Sequence, residues 1–163
     1  MRTVSVEFLV PSADPDAIFA LLCDFERYVE HTDAVREVTV TTIAGPPNGR
    51  RVVESEWSVN FRNGVLCWSE RDQIDPVGRS IRFAQLTGDF EQFAGDWLVR
   101  QAGSDVTVRF AATFDLGMPT LASIIEPIAE RTLRENIDTI LRGLLGPDLV
   151  GLDTTGSISR LAA

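Results

Sequence analysis

Residues 65–97, VLCWSERDQIDPVGRSIRFAQLTGDFEQFAGDW, alternate apolar and polar side chains in three runs split by turn signals at Asp75-Pro76-Val77-Gly78 and Thr87-Gly88-Asp89. Alternation over a few residues between Gly and Pro breaks marks half-buried antiparallel strands. Residues two apart on a strand share a face. Cys67, Ser69, Arg71 and Gln73 therefore point one way, and Trp68, Glu70, Asp72 and Ile74 the other. The same arithmetic groups Ile81, Phe83 and Gln85 on the second run, then Phe93, Gly95 and Trp97 on the third. Bulky aromatics on one face and charges on the other describe a curved sheet with an inside, and that inside is read as a ligand cavity.

The remainder of the chain extends this sheet. Thr3 to Val10 reads as a first strand, ended by Pro11-Ser12-Ala13-Asp14. Asp14 is placed as a helix N-cap with Pro15 at the first helical position, where its missing N–H costs nothing. Ile18, Phe19, Leu21, Leu22 and Phe25 give a helix over 15–23 its apolar stripe, and a second short helix opens at Asp24 and runs to about His31. Strands are expected at 34–43, 51–61, 79–86, 92–101 and 106–115, with Asn63-Gly64 as a two-residue hairpin turn. The longest helical pattern spans about 120–145, where Ile124, Ile125, Ile128, Ala129, Leu133, Ile137, Ile140, Leu141 and Leu144 recur at helical spacing. Pro127 lies inside it, which predicts a kink or a fresh helix start there. The order is strand, two short helices, six antiparallel strands and a long closing helix, in one α+β domain over 1–147. A flexible tail is expected over 148–163. A seven-stranded antiparallel sheet wrapped round one helix leaves more interior than side chains fill.

Composition excludes several partners. A net charge of −9 argues against nucleic acid and against an anionic membrane surface, since both need clustered cations. All fifteen basic residues are Arg, which rules out lysine Schiff-base and P-loop chemistry. Cys23 and Cys67 have no CxxC partner and read as reduced thiols, consistent with a cytoplasmic location. No apolar run reaches the length of a membrane span, and the N-terminus lacks signal-peptide character. No His, Cys or carboxylate grouping has metal spacing, and no glycine loop suits a phosphate, so neither metal nor cofactor is expected.

Several strings carry a resemblance. Trp68-Ser69-Glu70-Arg71 followed by Ile74-Asp75-Pro76, then Gly88-Asp89-Phe90 leading to Phe93-Ala94-Gly95-Asp96-Trp97, resemble runs of the bacterial polyketide aromatase/cyclases. Asp24-Phe25-Glu26-Arg27-Tyr28 resembles their helix-loop near the pocket mouth, and Glu135-Asn136 falls where their closing helix carries an asparagine. Over 3 to about 145 the chain is similar to the START-like superfamily, the helix-grip (SRPBCC-type) fold, including coenzyme Q-binding proteins. The resemblance implies that Arg71 and Ser69 face the pocket and hold or protonate carbonyl oxygens of a poly-β-keto chain. Two departures accompany it. The cyclases place a tryptophan two residues before the serine, where Cys67 stands, leaving Trp68 one position off and expected to face outward. Near the tyrosine they carry after the second short helix, this chain has Val35, with Tyr28 and His31 as the nearest hydroxyl and imidazole.

On that placement, a buried Arg71 either meets a ligand oxygen or pairs with an internal carboxylate, and its planar donor fork suits an enolate. Ser69 is a pocket hydroxyl or a satisfied strand serine. Tyr28 and His31 are candidates for proton relay or, respectively, a mouth contact and a solvated helix end. Trp57, Cys67, Phe83, Phe93, Trp97 and Ile140 are wall candidates or plain core. Gln85 and Asn136 are polar groups that meet either a ligand or protein partners. The acidic pairs Glu54/Glu56 and Asp72/Asp75 read most simply as solvated edges. Two functions remain open: a cyclase that folds a hydrophobic or carrier-protein-bound polyketide and promotes ring closure or dehydration, and a non-catalytic carrier of a quinone, isoprenoid or lipid. Action through an exposed sheet edge is a third reading, and homodimerisation is left open.

Overall fold

The computed structural model describes residues 1–152 and the backbone of 158–159. Strand β1 (Arg2–Val10) is followed by α1 (Pro15–Cys23), a 3₁₀ turn (Phe25–Arg27) and α2 (Tyr28–His31). Six strands then run as consecutive hairpins: β2 (Val35–Ala44), β3 (Arg51–Phe61), β4 (Gly64–Asp75), β5 (Ser80–Gly88), β6 (Gln92–Ala102) and β7 (Asp105–Asp115). A 3₁₀ turn (Pro119–Leu121) leads into α3 (Ala122–Leu145), and β8 (Val150–Leu152) and β9 (Ile158–Ser159) follow. All neighbours in the sheet, in the order β2-β3-β4-β5-β6-β7-β1-β8-β9, are antiparallel. This is the helix-grip arrangement read from the sequence, with two short strands added at the β1 edge.

Local chemistry explains the element ends. The Asp14 carboxylate accepts from the Ala17 N–H at 3.0 Å, capping α1 ahead of Pro15. At the other end of the chain, Gly146 at φ 100° donates its N–H to the Arg142 carbonyl and stops α3. Arg142, in the last turn of α3, pairs with Asp138 at 3.1 Å and donates to the Leu149 carbonyl at 2.9 Å. That contact seats the chain after the helix, where Leu149 is buried and β8 pairs with β1. The tail expected to be loose from 148 is therefore built into the sheet through Leu152; 153–157 and 160–163 lie outside the described residues.

β7 shows the sealed face most plainly. Val106, Val108, Phe110, Ala112 and Phe114 are buried while the intervening side chains are not. α3 covers this face with Ala129, Leu133, Ile137, Ile140, Leu141 and Leu144. Three local expectations are corrected. The β3–β4 turn is Arg62-Asn63, one residue earlier than expected, with Phe61 opposite Gly64 and Arg62 at φ 55°. The helix continues through Pro127 with no fresh start there. Its apolar stripe begins only at Ala129, because Ile124 (64% exposed) and Ile128 (38%) lie on turns that do not reach the core.

Gly143 sets how closely α3 approaches α2: a Cβ there would stand 2.1 Å from the His31 carbonyl oxygen. Gly143→Ala gains helix propensity but forces backbone apart, and a net loss of about 1–3 kcal/mol is expected from overpacking. Urea denaturation checks this, and an unchanged midpoint would refute it.

Candidate functional site

Between the sheet and α3 lies a cavity of about 80 Å³. Tyr28, Trp57, Trp68, Phe93, Phe83, Phe110 and Trp97 form a continuous arc of ring contacts round it, with centroids 4.7–6.1 Å apart along the chain of neighbours. Trp57 and Trp68 stack in parallel at 6.1 Å and 6°. Leu133, Asn136, Ile137 and Ile140 of α3 close the opposite side. Gly88 makes room for the Trp68 side chain, since a Cβ there would lie 2.4 Å from the Trp68 Cβ.

The acidic groups of this cavity come from β4. Trp68, Glu70, Asp72 and Ile74 point inward, and Cys67, Ser69, Arg71 and Gln73 point out. The assignment carried by the resemblance is thus inverted. Arg71 is half exposed on the outer face and binds Glu54 of β3 at 2.9 Å. Cys67 is exposed there with its Sγ 3.7 Å from the Ser58 hydroxyl. Ser69 shares a hydrogen bond with the Thr87 hydroxyl at 2.8 Å, on the same face. The physical reason is the hairpin. Strand pairing sets Trp57 opposite Trp68 and Ser55 opposite Glu70. Opposed residues share a face, so Trp57, half-buried against the core and lining the cavity, carries even-numbered positions of β4 inward.

Two further expectations are corrected. His31 ends α2 with its side chain in solvent, away from the cavity lining. Tyr28 does line the cavity, but its hydroxyl donates to the Leu22 carbonyl, which ties α2 to α1. Burial pushes that phenol well above its ordinary 10, so it is a poor proton donor. Trp57, Phe83, Phe93, Trp97, Asn136 and Ile140 stand in the cavity wall as placed. Asn136 donates to the Asn60 carbonyl at 2.7 Å and joins α3 to β3. Gln85 faces inward and donates to the Phe90 carbonyl at 2.9 Å, fixing the β5–β6 turn so that Phe90 stacks on Phe93 at 4.5 Å.

The residues missed from the sequence are Glu70 and Asp72. Asp72 is wholly buried and Glu70 is 5% exposed. The Trp68 indole N–H donates to Glu70 Oε1 at 2.6 Å. The Trp57 indole N–H donates to the Ser55 hydroxyl at 2.7 Å, which donates onward to Asp72 Oδ2 at 2.6 Å. Asp72 Oδ1 is buried without a partner, as is Gln85 Oε1. Burial, and then the neighbouring Asp72, push Glu70 well above its ordinary 4.5. Burial also raises Asp72 above 3.8, opposed by hydrogen bonds from Glu70 and Ser55. Two carboxyls this close in an apolar box do not both ionise. Glu70 holds the proton and Asp72 is the more acidic of the pair, which gives the cavity one acid and one base. Among the described residues, no group of three or more His, Cys, Asp or Glu is placed to hold a metal ion.

The profile of a family described as polyketide cyclase/dehydrase and lipid transport matches residues 11–140. The chain belongs to this family. Solved structures share the fold of this cyclase/dehydrase-family protein. TTHA0849 from Thermus thermophilus is 23% identical with a TM-score of 0.77, over 88% of this chain and 94% of that one. The Zhui aromatase/cyclase from Streptomyces is 16% identical with a TM-score of 0.72, over 88% and 91%. A START superfamily protein from Mycobacterium smegmatis is 17% identical with a TM-score of 0.68, over 88% and 95%. No match was found among curated protein sequences. Among the described residues of this family member, no helix is long and apolar enough to cross a membrane.

The carboxyl pair makes the family member's stability depend on pH in a defined direction. Raised values mean that the folded chain binds these protons more tightly than the unfolded chain. Stability therefore declines as pH rises from the ordinary 3.8 and 4.5 through the raised values. Asp72→Asn and Glu70→Gln should match the parent near about pH 4 and exceed it near about pH 8, in urea titrations at both. Arg71→Ala, which breaks only an exposed ion pair, should shift stability by less than about 1 kcal/mol at either.

Proposed function

We propose that this family member takes a compact hydrophobic substrate of the polyketide type into the aromatic cavity and promotes cyclisation or dehydration by proton transfer. Glu70 acts as general acid on a carbonyl or leaving hydroxyl oxygen, and Asp72 accepts a proton from carbon or oxygen. The observation that carries this reading is the placement of both carboxyls, buried on one face of β4 and with Asp72 Oδ1 unpartnered, inside an aromatic box. Trp68 and Ser55 fix their orientation, so no reorganisation is needed when charge develops. The aromatic walls exclude water, which strengthens each of these interactions. Arg71 and Ser69 have no part in it, because they lie on the other side of the sheet from the cavity.

Binding includes widening of the cavity. At about 80 Å³ it is below the roughly 300 Å³ at which ligand pockets begin. The same volume, and walls made mostly of aromatic and aliphatic side chains, favour a second reading in which the chain carries a hydrophobic molecule without converting it. A free compound or one held on a carrier protein serves either reading as the incoming partner.

The test is incubation with short β-diketones and β-hydroxy ketones, followed by chromatography of the products. Glu70→Gln should lower turnover by roughly 10²-fold with binding retained, the usual loss for a general acid, and Arg71→Ala should leave it unchanged. Turnover should also fall as pH rises through the raised Glu70 value, since the acid form is the active one. Binding of these compounds without conversion by the parent protein would establish the carrier reading instead.

A further inference from the structure

We propose that the molecule this cavity accepts presents a protonated amine, a compact alkylammonium end on an otherwise apolar body, to Asp72. The inference rests on the reading of the cavity as the ligand site, and it specifies the chemistry of the end that enters first.

The inner face is short of donors. Asp72 Oδ1 and Gln85 Oε1 are buried acceptors with no partner. Gln85 stands opposite Glu70 in the β4–β5 pairing, so both acceptors belong to neighbouring positions on one face. The donors nearby are already committed: Trp57 to Ser55, Trp68 to Glu70, Tyr28 to Leu22 and Asn136 to Asn60. Glu70 supplies a single proton. A ligand that completes this face must bring N–H or O–H groups. A carboxylate brings only more acceptors, and a ketone oxygen can accept from Glu70 but gives nothing to Asp72 Oδ1.

Charge selects between a hydroxyl and an ammonium. A buried carboxylate is costly unless a cation meets it. Of the arginines in the adjoining strands, Arg71 binds Glu54, Arg109 binds Asp96 and Arg50 binds Asp75, while Arg51, on the inner face opposite Ile74, is taken up by the Gly49 carbonyl and the Cys23 thiol. Among the described residues, none of the ion pairs includes Glu70 or Asp72. Trp57, Trp68 and Tyr28 line the same cavity as Asp72, and aromatic rings attract cations, most strongly when desolvated. Aromatic faces, an unneutralised carboxylate and spare acceptors together describe the complement of an ammonium with N–H groups. The volume fits as well: about 80 Å³ is well above the roughly 10–15 Å³ that one water needs, enough for a small alkylammonium end.

The experiment uses three molecules of nearly one shape, isobutylammonium, isobutanol and isobutyrate, titrated into the full chain near neutral pH with tryptophan fluorescence and calorimetry as readouts. The ammonium should bind at least tenfold tighter than the alcohol, and the carboxylate should not bind. Asp72→Asn, which keeps an acceptor for Ser55, should lose at least tenfold for the ammonium and leave the alcohol unchanged. The ranking on the unmutated chain tests the proposal even if that variant fails to fold. Equal affinity for alcohol and ammonium, a preference for isobutyrate, no binding of the ammonium, or ammonium binding indifferent to Asp72→Asn would each overturn it. Conversion of the ketone substrates without ammonium binding sinks the amine assignment alone. Ammonium binding without conversion sinks catalysis alone.

Discussion

The alternation of side chains along β4 is the constraint on which the interior depends. One face of the sheet is sealed by α3, so every second residue of β4 is withdrawn from water whether or not it is apolar. Trp68, Glu70, Asp72 and Ile74 occupy that face. The two carboxyls would be intolerable in a plain hydrocarbon core. They are held by an indole N–H at 2.6 Å and a serine hydroxyl at 2.6 Å, and a second indole feeds the serine. The two tryptophans are therefore wall and hydrogen-bond donor at once, and their stacking fixes both carboxyls in one geometry. Buried tryptophans of this kind place an N–H where a partner waits.

Most of the architecture was legible in the sequence because its signals are local. Asp14-Pro15 fixes a helix start, Gly146-Pro147 a helix end, and strict alternation from Val106 to Phe114 a half-buried strand. The face of β4 was harder to read, because charges occur on both of its sides and no apolar stripe decides between them. A signal was nevertheless present. A two-residue hairpin between β3 and β4 pairs odd positions with even ones, whether the turn is Arg62-Asn63 or Asn63-Gly64. Trp57 was already assigned to the covered face, and that assignment alone sends Trp68, Glu70 and Asp72 inward. Register arithmetic across a tight turn was a stronger guide than the likeness of a short string. The outward turn of Ile124 and Ile128 had no such signal, since helical periodicity reports a stripe without saying how far along it the sheet extends.

The outer face answers the inner one. Cross-strand pairs of opposite charge run over it, Arg71 with Glu54 and Arg109 with Asp96. Exposed pairs of this kind add little stability, but they hold the Arg71 and Arg109 guanidinium groups on the solvent side. The guanidinium that would most simply neutralise Asp72 is one residue away in sequence and on the opposite side of the sheet. Period two separates the charges that a helix would have allowed to meet.

A buried acid without a counter-ion lowers stability, and alternatives of the same shape exist in Asn and Gln. Groups that cost stability and are nonetheless precisely held are what functional sites are made of. Here the cost falls on two carboxyls that line the aromatic cavity between the sheet and α3, and not on the outer face, where acids are solvated. The volume supports the same conclusion. A space of about 80 Å³ bounded by stacked rings is not a packing accident of small residues, because Gly88 gives up a side chain where Trp68 presses in. A cavity built at that expense, with an unsatisfied oxygen turned into it, is incomplete without an occupant that donates to that oxygen.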